Sequence, residues 1–346
     1  MFYPHLNQPD RANEVYEISR EYLLGHEDLT NRIQDHLRAR YEVNDVVTET
    51  APKLESGHFF PFLESYTELE LSLSLALLGF YRHAFDSLRS SFELCVAGVY
   101  YDREDDAESK IEAWFHSNER TPQFKKMIQS LTTIPGYEAF HKVSDFEESL
   151  EKNYDALGGF VHTRGFPYSS SRLSGSNVLQ FSETSLRGFA DFFCEIAHSS
   201  VILILLKYPM GLQPVPLFQK FGPWPPLGGF LDDGAQAAVR TILSDDEYIV
   251  LRAISDADPD VLQIVKGIED LPDLTDEELE AHLQFFRYGA FDLTDAIRPA
   301  VDLQVTPRQG FRHDVYVDTT SKTNVPVIMA AASRERLFDL FIDMID

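Results

Sequence analysis

From Phe62 to Tyr101 the chain carries no proline, and its apolar residues return at helical spacing: Leu71, Leu75, Leu78, Phe85, Leu88 and Phe92. The spacing predicts helix across the whole segment, with Gly79 and Gly98 as candidate bends. Its middle, LLGFYRHAFDSLRSSFELC, nevertheless holds Arg82, His83, Asp86, Arg89 and Glu93. On a helix Arg82, Asp86, Arg89 and Glu93 fall four, three and four residues apart, so they share one face with alternating sign. Glu68, Ser72 and Gly79 extend the stripe backwards. Two accounts fit this ladder. It is the solvent face of an amphipathic helix, with ion pairs worth a few tenths of a kcal/mol each. Alternatively, the apolar residues on both flanks leave it half buried, and each charge then needs a partner. His83, one residue off the stripe, reads as a rim residue.

Helical signals dominate the rest of the first 210 residues. Asp10 is placed to cap RANEVYEISREYLLG, and Gly25 to stop it. Further helices are expected at 28–48, 105–117, 121–131 and 137–157, with SRLSGSNVLQ as a small-residue loop. A long apolar helix capped by Ser182 then runs to Pro209. The predicted fold class is therefore all-α, with a helical bundle over 1–209. MGLQPVPLFQKFGPWPPLGGF (210–230) cannot continue a helix and is expected to be an ordered strap and a boundary. An acidic, mainly helical region over 231–346 should follow. Within it FRHDVYVDTT and VPVIMAA have the pattern of a short two-stranded piece, and RERLFDLFIDMID that of a closing helix.

The net charge is −26. That argues against nucleic acid as a partner unless a local basic groove exists, because phosphate binding needs cations to displace counterions. An acidic face suits a protein partner of basic character. Cys95 and Cys194 lie alone in apolar runs, which fits buried thiols in a reducing compartment rather than a disulfide or zinc framework. MFYPHLNQPD has no basic segment leading into an apolar one, so no secretory signal and a cytoplasmic location are expected. The apolar run VILILLKYP is too short to span a bilayer and reads as a buried helix, so no membrane partner is expected.

AFDSLRSSFELC, followed later by YDALGGFVHTRG, resembles the helical core of bacterial abortive-infection and stress proteins of the HEPN-like group. The resemblance covers about 60–208. Such domains place Arg-x-x-x-Glu on one long helix and a histidine near the end of another. The matching positions are Arg89, Glu93 and His162, and the resemblance implies that guanidinium, carboxylate and imidazole meet at one point. A carboxylate beside His162 would orient the ring and raise its pKa, giving a general acid or a structural hydrogen bond. Many HEPN-like domains are metal-independent ribonucleases whose arginine and histidine lie close in sequence on one helix, often across a homodimer interface. This chain departs from that pattern. Its formal pairs, Arg20 with His26 and Arg308 with His313, fall outside the resembling stretch, and Arg187 and His198 are too widely spaced.

Glu138-x-x-His141 and Glu195-x-x-His198 fit the unit that di-iron bundles use twice, with Glu68 and Glu93 as further ligands. A third match, ESGH at 55–58, contains glycine and belongs to a loop. Chance matches are common in a chain this rich in glutamate. SSSRLSGS with Arg164 and Arg172 reads as a surface loop able to meet a phosphate. The expectation is thus a non-catalytic interaction or regulatory protein of a bacterial stress or antiviral-defence system, with no cofactor. A HEPN-type ribonuclease using His162 or His198 is the alternative, and a di-iron bundle the third reading.

Overall fold

The computed structural model describes residues 8–47, 53, 56–102, 106–175, 179–222 and 229–281. Among the described residues the protein is all-α, with no strand. The expected strands and the closing helix lie outside the described residues.

The Pro-free segment is a hairpin rather than one rod: α3 (Phe60–Leu77) and α4 (Tyr81–Tyr101) run antiparallel. The reversal is local chemistry. Phe80 N–H donates to Leu75 O and Gly79 N–H to Ala76 O, a Schellman closure with Gly79 at φ +81°. A side chain at Gly79 would meet Val15 and the backbone of Gln180 at 3.0–3.2 Å. The other glycine, Gly98, does not bend α4. It lets the Phe62 ring lie where a methyl group would sit, 2.8 Å away. Ser65 and Ser91 tie the crossing, each hydroxyl donating to the other's carbonyl at 2.8 and 2.6 Å.

Around this hairpin pack α1 (Gln8–Leu24), α2 (Glu27–Glu42), α5 (Ala107–Phe115), α6 (Phe124–Leu131), α7 (Tyr137–Ser144), α8 (Phe146–Val161), the short α9 (Ser170–Leu173) and α10 (Glu183–Lys207). Asp10 lies in the first turn of α1, where its charge meets the positive helix end. The single helix expected over 137–157 is two, because Asp145 adopts a left-handed conformation at φ 47° between α7 and α8. Part of SRLSGSNVLQ belongs to α9. Ser182 caps α10 through the Ser185 N–H. Helix α10 extends well upstream of VILILLKYP and is long and apolar enough to cross a membrane, but most of its apolar window is buried within the protein. It forms the rear of the core against α2, α3, α4 and α8.

The chain divides into two compact units. One unit comprises Met1–Val215 and Leu227–Gly267, the other Pro216–Pro226 and Ile268–Asp346. In the first unit α12 (Asp233–Ile242) packs on α2 and α13 (Asp245–Ala257) on α7, so the stretch after the strap completes the bundle. The apolar faces of these acidic helices decide this: Ala235, Val239 and Leu251 are buried. Ser244 and Glu247 form a capping box at the start of α13. Helix α14 (Pro259–Glu269) follows. In the second unit, α11 (Leu217–Phe221) offers Lys220, whose ammonium donates to Glu269 O and Leu271 O and pairs with Asp273 at 2.7 Å.

Candidate functional site

The ladder lies along the seam between α4 and α8, and all four of its residues are half buried rather than set on an open solvent face. Arg89 Nε donates to Glu93 at 2.8 Å, and its other arm donates to the Tyr154 hydroxyl at 2.6 Å. The guanidinium carbon also stands 4.4 Å over the Tyr154 ring, a cation–π contact that in turn stacks on Phe124 at 3.7 Å. Burial opposes the Arg89 charge, yet its pKa is raised because the Glu93 hydrogen bond and charge, together with Tyr154, outweigh that cost. Burial and the Glu93 charge push the Tyr154 phenol up, so its proton stays on. Arg89 Nη1 and one Asp86 carboxylate oxygen are buried without a hydrogen bond.

Arg82 does a different job. Its guanidinium donates to Phe160 O at 3.1 Å and Val161 O at 3.2 Å, the last carbonyls of α8. A cation there satisfies acceptors the helix leaves open and meets its negative end. Phe160 itself stacks on Phe85 of α4 at 3.8 Å. Glu68 of α3 accepts from the Ser87 hydroxyl, and Ser72 turns back to Leu69 O, so the backward extension of the stripe belongs to helix packing.

His162 does not join Arg89 and Glu93. It caps the C-terminus of α8, is exposed, and its ring has no hydrogen-bond or ion-pair partner among the described residues. Tyr154, two turns earlier on the same helix, takes the place expected of the imidazole. The expected HEPN-like junction of Arg89, Glu93 and His162 is therefore corrected to Arg89, Glu93 and Tyr154. The reason is geometric: the ladder reads α8 along its length, while His162 stands beyond its last turn.

The Glu-x-x-His pairs separate as well. Glu138 is exposed and pairs with Lys142 at 2.8 Å, while His141 faces Glu148 at 3.6 Å. Glu195 is exposed, and His198 instead meets Glu247 of α13 at 3.3 Å. Burial opposes ionisation of Glu247, but the His198 and Ser244 bonds hold its pKa down at about 2. The His36 ring lies 6.4 Å from that of His198, and burial, aided by His198, lowers its pKa. Among the described residues no group of three or more His, Cys, Asp or Glu is arranged to hold a metal ion. Of the Arg–His pairs, Arg20 bonds Glu17 and His26 bonds Tyr22 O, while Arg308 and His313 lie outside the described residues. Arg187 pairs with Glu183. Cys95 and Cys194 are both buried, and burial pushes both thiols up, the latter to about 11.

A second polar cluster, which the sequence does not announce, sits at the far end of α4. Asp102, with a side chain 5% exposed, meets Lys53 at 2.8 Å, Lys207 at 2.9 Å and His58 at 3.3 Å. The Tyr208 hydroxyl lies 3.1 Å from the His58 ring. Burial pushes His58 down to about 4, with both lysines assisting and Asp102 opposing. Burial opposes the Asp102 charge too, but His58, Lys207 and Lys53 outweigh it and lower its pKa. Thus at neutral pH one carboxylate serves two ammonium groups beside a neutral imidazole. Its residues come from the ends of α4 and α10 and from the turn before α3. The only local signals are that Asp102 and Lys207 are the charges ending two apolar runs.

Compared with known proteins, the chain matches no family model, no curated protein and no solved structure.

Proposed function

We propose that this protein works by binding a protein partner rather than by turning over a substrate, in the cytoplasm, in the bacterial stress or antiviral-defence setting that the HEPN-like resemblance implies. One observation carries the non-catalytic part. The arginine of the resemblance is engaged by its own carboxylate, Glu93, and by Tyr154, and the exposed His162 ring has no hydrogen-bond or ion-pair partner among the described residues. General acid–base work needs the proton-transferring group oriented and within hydrogen-bond reach of its partners. The charge of −26 supports the same reading, since it repels polyanionic substrates at long range.

The test is incubation of labelled RNA with the full chain and with His162→Ala, beside co-purification with the product of an adjacent gene. Intact RNA in both samples, with a partner retained through gel filtration, is the expected result. RNA cleavage by the parent that disappears in the variant would replace this reading with the ribonuclease one.

A further inference from the structure

The turn that follows α8, residues 162–168, is exposed over most of its length, and its composition is unusual for this chain. No Asp or Glu occurs between Asp155 and Glu183, although the whole protein carries 56 of them. Over the same stretch stand Arg164, Arg172 and His162, all exposed. At the tip, Phe166 is 67% exposed, near the most exposed of the large apolar side chains.

Nothing in the turn is loose. Thr163, a β-branched residue, holds φ at +45°, a conformation that persists only where its surroundings enforce it. Arg82 grips the carbonyls of Phe160 and Val161 immediately before it. Arg164 N–H returns to Gly159 O at 2.9 Å, and the Arg164 side chain reaches back to Asp155 at 2.7 Å. Beyond the tip, the Tyr168 ring occupies the space a side chain at Gly159 would take, 2.3 Å from its Cβ position, and packs edge-on against Phe160. The Ser169 N–H and hydroxyl both donate to Phe166 O. Arg82 of the ladder thus holds the helix end from which this turn leaves, and the turn's backbone bonds carry Phe166 with its side chain in water.

We propose that this turn is the binding epitope of the protein, and that its partner is an acidic peptide segment carrying an apolar residue. This rests on the partner-binding reading above and names the surface that performs it. The chemistry is complementary on both counts. Phe166 supplies an exposed aromatic side chain on a hydrogen-bonded turn, and Phe and Arg are side chains that carry interface energy when a partner excludes water from them. Arg172 has no ion pair or hydrogen bond from its side chain among the described residues, so a partner carboxylate can take it without displacing anything. Arg164, oriented by Asp155, is the second exposed cation of this stretch. Long-range repulsion from the acidic body is screened beyond about 8 Å at physiological salt, so the exposed Arg172, and Arg164 with its Asp155 partner, decide which partner is admitted. Because the turn is already ordered, binding loses little to conformational entropy.

The experiment pans a phage-displayed library of random peptides against the immobilised full chain and then measures the enriched peptides by fluorescence anisotropy. A uridine oligonucleotide serves as competitor. The enriched peptides should pair Asp or Glu with aliphatic or aromatic residues. Their affinity should fall about tenfold or more for Phe166→Ser, and comparably for Arg172→Glu. Both side chains are exposed, so both variants should keep the parent melting temperature. Failure to enrich, enrichment without acidic residues, or displacement by the oligonucleotide would overturn the proposal. Binding indifferent to both variants would also overturn it, while leaving the partner-binding reading in place at another surface.

Discussion

Helix α4 carries a polar cluster at each end, and the two are built on different principles. The ladder cluster is strung along one helix face and reads its neighbour α8 group by group: Arg82 to the terminal carbonyls, Arg89 to Tyr154 and Glu93. Its groups are half exposed, so each contact is modest and water can substitute for part of it. The Asp102 cluster draws Lys53, His58, Lys207 and Tyr208 from two separated segments around one buried carboxylate at the end of a third. There, removal of one member disturbs charges that are largely shielded from water. The first arrangement positions a surface; the second locks the framework behind it.

The comparison breaks most readily at Asp102. Replacement by Ala removes the carboxylate that the Lys53 and Lys207 ammonium groups share beside a buried phenol, and urea denaturation should show a loss of about 3–5 kcal/mol. A loss below 1 kcal/mol would mean that the lysines simply turn out to solvent.

The next effect is pH dependence. The folded-state pKa of His58 is depressed to about 4 from an ordinary 6.5, so its contribution to stability is complete above 6.5 and is lost as pH falls toward 4. The loss should reach about 3 kcal/mol over that window. Asp102, also depressed, contributes above the ordinary carboxylate range and loses that contribution only as pH falls further. In His58→Gln the slope between those limits should shrink to the part due to His36, whose pKa is lowered in the same direction. An unchanged slope would assign the acid sensitivity elsewhere.

Smaller still is Arg82→Met, which keeps the apolar stem but frees two helix-end carbonyls. About 1–2 kcal/mol is expected from the lost charged hydrogen bonds. Amide exchange should quicken at 162–165 and remain unchanged around Asp102. Uniform quickening would contradict the division of labour between the two ends.

How much of this was legible follows the same division. The ladder could be found because its members are three and four residues apart on one helix, and that spacing alone puts them on a common face. Helix starts at Ser182 and Ser244 were equally local, since a cap is a contact across three residues. The turn at Gly79 was visible as a glycine but not as a reversal, because a bend and a Schellman closure share the same residue. The joining of Arg89 to Tyr154 rather than His162 depends on how far α8 extends past its neighbour, which periodicity does not encode. The Asp102 cluster was invisible for a stronger reason. His58 stands in a glycine-containing turn, and only tertiary packing brings it to charges far along the chain. The packing of α12 and α13 onto the bundle was hidden by their charge, which masks narrow apolar faces at Val239 and Leu251.

The central claim is that the ladder's Arg89 braces α8 through Tyr154 instead of serving a reaction. A double-mutant cycle with Arg89→Met and Tyr154→Phe, read by urea denaturation, measures that coupling directly. A favourable interaction energy of about 1 kcal/mol is the predicted result. Strict additivity of the two substitutions would contradict it.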